Sequence, residues 1–181
     1  IDYHSDNLRG QKKEFIMAKK KEYLIDGVKH YRHVNGGGLV AETACVAPSA
    51  FISHTARVYG NAHVYDNARI SGKAQVCGLA RVYDTAYVHG NAKVCDNAQV
   101  FGNAHVYGDA VICDNAQVYD RAVVCDQATI LNNAVLCQIA QVFGNAVICD
   151  NVKITGFKIW GDSIIIDDNN PEDVVDDTDL E

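Results

Sequence analysis

The chain has 181 residues and a formal net charge of −7, long enough for one domain with its own core. The charge is unevenly placed: residues 1–33 carry net +3, residues 34–161 net −1 and residues 162–181 net −9. No basic stripe suited to a phosphate backbone appears and no apolar run approaches bilayer length, so neither nucleic acid nor membrane is an expected partner.

Ala and Val dominate the apolar residues, Leu is scarce and there are only two prolines, which favours β structure over a helical bundle. Seven cysteines, an odd number with no CxxC pair, read as free thiols. With no signal-type apolar run at the N-terminus, a reducing, cytoplasmic setting is expected.

In chain order, residues 1–16 precede the only methionine, Met17, which opens "MAKKKEYL". The preceding "GQKKEFI" is encodable by a ribosome-binding-like stretch, so residues 1–16 are expected to be a non-native leader and are set aside. Residues 17–38 read as an N-terminal cap: "EYLIDGVKHYRHV" alternates around Asp26-Gly27 like a hairpin, and Gly36-Gly37-Gly38 leads onward.

Residues 39–161 carry the dominant signal. Stepping by six from Val40 to Ile154, all twenty positions are aliphatic. Four places after each, from Ala44 to Ala146, stand eighteen consecutive alanines, with no slip in the count. In a strand, Ala-x-Val-x sends Ala and Val to one side, and the two remaining residues, such as Gly-Asn or Asp-Asn, tolerate the positive φ of a corner. Four strand residues and two corner residues make one flat side. Three sides close a triangular coil of 18 residues, and about six coils stacked at about 4.8 Å make a prism with three parallel sheets.

After it, "FKIWGDSIIIDD" reads as a last strand with Trp160 in the inward slot, and residues 162–181 as the end of that strand followed by an acidic disordered tail. The fold class expected is therefore all-β, a single-stranded parallel β-helix with a hairpin cap.

These hexads resemble the left-handed parallel β-helix of the hexapeptide-repeat superfamily, over residues 40–159. The left hand comes from that resemblance, since the general rule for parallel crossovers favours the opposite one. The hairpin followed by a Gly-rich entry is similar to uncharacterised hexapeptide-repeat proteins of bacteria and phages. The resemblance implies a homotrimer. It also raises acyl-CoA-dependent acyl transfer, typically acetyl transfer to a hydroxyl or amine, with a His as general base at a subunit interface.

Residues 18 apart stack, which gives outward columns. One reads Tyr59, Cys77, Cys95, Cys113, Leu131, Cys149; a second Tyr65, Tyr83, Phe101, Tyr119, Cys137; a third Ser53, Ser71, His89, Tyr107, Cys125, Phe143. No metal is expected: a straight row of thiols does not surround a tetrahedral ion, and the stacked corner carboxylates read as turn formers. Stacked Tyr65, Tyr83, Phe101 and Tyr119 stabilise neighbouring strands or offer a ligand platform. At the other outward position of each side, Arg57, His63, Arg69, Gln75, Arg81 and Lys93 give way to Val111, Val123, Val135 and Val147. Apolar later coils imply an interface, and self-association follows.

His89 and His105 fall on one side in adjacent coils, with Tyr87, Tyr107, Arg69 and Ser71 around them. For an acyltransferase, His105 or His89 is the base, Tyr107 a hydrogen-bonding partner and Arg69 the anchor of an anionic acyl-CoA. Against this, no loop breaks the hexad register to build a cleft, and no carboxylate sits beside either imidazole. The reading is a non-catalytic, self-associating scaffold or binding surface that requires no cofactor. An acyltransferase is the first alternative and a small-ligand sequestering protein using the aromatic columns the second.

Overall fold

In the computed structural model, residues 21–166 are described. The expected leader at 1–16 and the acidic tail from residue 167 onward lie outside them. The described residues form strands, turns and bends only, so no helix among them is long and apolar enough to cross a membrane.

The hairpin comes first along the described residues. Strands β1 (Tyr23–Ile25) and β2 (Val28–Arg32) pair antiparallel around Asp26 and Gly27, both at positive φ (50° and 75°), which is the two-residue turn that matches strand twist. β2 then pairs antiparallel with Leu39–Ala41, the first strand of the coil, placing His30 opposite Ala41. The hairpin thus covers the edge of one sheet.

Beyond it, short strands recur every six residues and sort into three parallel sheets. The hairpin face has ten strands, two of them from the hairpin. The tyrosine face has seven, from Cys45–Val46 to Lys153–Thr155, and the histidine face has seven, from Phe51–Ile52 to Lys158–Ile159. Partners are 18 residues apart, as in Arg81 with Gln99 and Tyr87 with His105. The architecture is the expected parallel β-helix, but with seven coils rather than about six.

The extra coil comes from continuation past Ile154 after a shortened corner. Gln141 pairs with Lys158 and Val147 with Ile164, an offset of 17. Losing one residue moves the inward seat from the expected Trp160 to Ile159, which is 7% exposed, and leaves Trp160 61% exposed. The strand expected across residues 157–168 is two strands, Lys158–Ile159 and Ile164–Ile165.

Inside, the alternation works as its chemistry dictates. Every Ala from Ala50 to Ala146 and every aliphatic residue from Ile52 to Ile148 in the six-residue series is fully buried. A buried Val or Ile contributes about 1.5–3 kcal/mol by leaving water, and Ala beside it occupies too little volume to force the corner open. The corners follow the same count. At every sixth position from Gly60 to Gly156 the backbone lies in the left-handed region, whether the residue is Gly, Asp, Asn132 or Gln138. At Asp66, Asp84, Asp96, Asp114, Asp120 and Asp126 the carboxylate accepts a hydrogen bond from the backbone N–H one coil on, Asp84 from Gly102 N and Asp120 from Gln138 N, both at 3.0 Å. Asn97, Asn115, Asn133 and Asn151 add a ladder of side-chain amide bonds of 3.1–3.2 Å.

Candidate functional site

The histidine face brings the expected catalytic residues together. Its two outward ladders run Phe51, Arg69, Tyr87, His105, and Ser53, Ser71, His89, Tyr107. The Arg69 guanidinium lies between the Phe51 and Tyr87 rings, 5.1 and 5.6 Å from their centroids. Ser71 Oγ donates to Tyr87 Oη at 2.9 Å. His89 stacks on Tyr87 at 4.3 Å and on Tyr107 at 4.9 Å, and His105 meets the Tyr87 ring edge-on at 5.9 Å.

Burial among these rings, with a smaller contribution from His105, holds the His89 imidazole below its ordinary pKa and keeps it neutral at pH 7. The Tyr107 hydroxyl is pushed up, first by its hydrogen bond with Cys125 and then by burial. Neither imidazole has a hydrogen-bond partner among the described residues, so nothing there fixes a tautomer for general-base work. Both lie on a sheet surface. Two clefts lie instead at the hairpin end, one lined by Tyr31, His33, Val40 and Pro48 and the other by His30, Thr43, Arg57 and Tyr59. Sequence reasoning missed both, because the hairpin leans over the first coils in a way no repeat encodes.

On the tyrosine face, Tyr65, Tyr83, Phe101 and Tyr119 stack face to face at 5.0, 4.8 and 4.7 Å, within 8° of parallel. The spacing is that of the coils themselves. Each inner ring therefore spends both π-faces on its neighbours and presents its edge outward, an arrangement that consolidates the sheet.

The hairpin face divides in two. Its early coils present Arg57, Gln75 and Lys93. Its later ones present Val111, Thr129, Val147 and Ile164, beside Cys113, Leu131, Cys149 and Ile166. Ile164 and Ile166 are 66% and 44% exposed. The ladder Cys77, Cys95 and Cys113 runs from the early half into the first of these later coils. All seven cysteines are free. Hydrogen bonding from Cys95, opposed by burial, holds the Cys77 thiol down to about 6, and the same contact pushes Cys95 up. Burial raises Cys113. Tyr59, which donates to Gln75 Oε1 at 2.9 Å, is pushed up to about 12 by burial and by Cys77.

Coils of 18 residues that shorten only in the last turn, inward alanines and aliphatics, and corners in the left-handed backbone region define a hexapeptide-repeat-like parallel β-helix. The family described as YdcK Beta solenoid repeat matches it at residues 56–72, 62–78 and 98–114, stretches of about one coil each. No curated protein and no solved structure matches the chain.

Proposed function

We propose that this chain is a non-catalytic scaffold that associates with copies of itself through the later coils of the hairpin face, as a homotrimer of the kind its hexad resemblance implies. The observation that carries this reading is the paired, largely apolar ladder Val111, Thr129, Val147, Ile164 and Leu131, Cys149, Ile166. Contiguous apolar area of this kind is costly in water and marks an interface. A second copy is the natural occupant, because its ladders repeat at the same coil spacing and interdigitate rung for rung.

Light scattering on the reduced full chain at micromolar concentration tests it. Wild type is expected to be oligomeric, and Leu131→Lys combined with Val147→Lys to be a folded monomer, while Arg57→Ala leaves the mass unchanged. A monomeric wild type overturns the reading.

A second reading, acyl transfer from acyl-CoA, is favoured by one observation: a neutral, half-buried His89 packed with Tyr87, Tyr107 and His105 beside the Arg69 cation. On this reading His89 or His105 takes the proton of an acceptor hydroxyl or amine, and Arg69 anchors the donor's phosphates once a neighbouring copy walls the site. Thiol release from acetyl-CoA with amine or sugar acceptors, lost in His89→Ala or His105→Ala, supports it. No release with any acceptor rejects it.

A further inference from the structure

The hairpin face carries one place where consecutive coils both read Cys-Asp after the inward aliphatic residue: Val94-Cys95-Asp96 and Ile112-Cys113-Asp114. One coil earlier the corner is Gly78, after Cys77, and one coil later the pair is Leu131-Asn132. We propose that Cys95, Asp96 and Cys113 form a binding site for a thiophilic divalent cation of the zinc class, with water in the fourth position.

The geometry rests on register. Cys95 N donates to Ile112 O at 2.9 Å, which holds the two cysteines on adjacent rungs of one ladder. The Sγ atoms of Cys95 and Cys113 and a carboxylate oxygen of Asp96 all lie within 4.8 Å of one another. A straight column of thiols cannot surround an ion. Asp96 supplies what the column lacks, because its left-handed backbone (φ 57°) sets it at the corner, outside the line of the cysteines. Tetrahedral coordination by two thiolates and a carboxylate needs donors about 3.5–3.8 Å apart, a closure that small side-chain rotations provide.

Asp96 also stands apart from the other corner aspartates. Asp84, Asp114, Asp120 and Asp126 each accept from the N–H one coil on at 3.0 Å, and Asp66 does so at 3.3 Å. For Asp96 the same contact is 3.5 Å, the longest of the six, which leaves its carboxylate the least committed to the corner. Cys95 is 7% exposed, Cys113 half-buried and Asp96 exposed, so the site has a packed floor and one side open to the ion and its water. Binding displaces two thiol protons to solvent and leaves the core untouched.

The test is titration of the reduced, metal-free full chain with cobalt(II), followed by displacement with zinc(II). One equivalent is expected to produce a sulfur-to-cobalt charge-transfer band and tetrahedral ligand-field bands, and zinc to erase both. Cys95→Ser and Cys113→Ser are each expected to abolish the bands, and Asp96→Asn, which keeps both thiols, to weaken affinity by about tenfold or more. Cys45→Ser, an exposed thiol off this ladder, leaves binding unchanged. Since the variants change outward side chains, circular dichroism is expected to match wild type. A thermal midpoint raised by zinc in wild type and not in the serine variants is the second readout. The proposal is overturned by absence of the bands, by bands that survive both serine substitutions, or by equal affinity in the urea-unfolded chain.

Discussion

The early and later coils of this molecule share one interior and one kind of corner, and differ in what the hairpin face shows to solvent. From Ile52 to Ile148 the inward residues are interchangeable in chemistry and burial, whereas Arg57 and Lys93 on the hairpin face yield to Val111 and Val147 a few rungs on. The coil's own stability therefore did not dictate the outward residues of either half. The difference between them is where a role beyond folding has to be sought.

Three measurements break or sharpen that comparison. The largest effect is expected inside: Ile70→Ala in an early coil and Ile130→Ala in a later one should each cost about 2–5 kcal/mol in urea unfolding, with similar values for both. A negligible cost in either half means the interiors are not equivalent. At the corners, Gly90→Ala should cost about 1 kcal/mol or more. It asks an L-residue to sit at φ 71° with a Cβ 2.9 Å from Gly108 N and O, and a neutral result would show that coils separate freely. The smallest effect belongs to the histidine face. The folded-state pKa of His89 lies below its ordinary 6.5, so the folded chain resists protonation. Stability should be flat above about pH 6.5, decline as pH falls below it, and level off once the folded imidazole has titrated. In His89→Gln that part of the slope should vanish.

Most of the fold was legible because a strand's period of two and a corner's need for Gly, Asp or Asn are local rules, repeated until chance is excluded. Eighteen alanines in register left no other solution. What escaped was set by a single missing residue. Thr155-Gly156-Phe157 turns a corner in one step fewer, so the inward slot falls on Ile159 and Trp160 swings to solvent. Of the site residues, the columns placed His89 with Tyr107 and Tyr65 with Tyr83 correctly, since stacking at 18 residues follows from register alone. The neighbourhood of Cys95, Asp96 and Cys113 did not emerge, because strand columns and corner columns were read as separate lines, and only side-chain reach joins them.

The corner ladders carry a further consequence. Each coil closes its hydrogen bonds on the next through equivalent atoms, with Asn115 receiving from Asn97 and giving to Asn133. A segment such as 79–96 could be excised, or copied in tandem, and the flanking rungs would meet partners of the same kind. Length is thus an adjustable, stepwise property of this protein, and the distance between whatever its two halves hold can be reset by a single genetic duplication without redesigning the core.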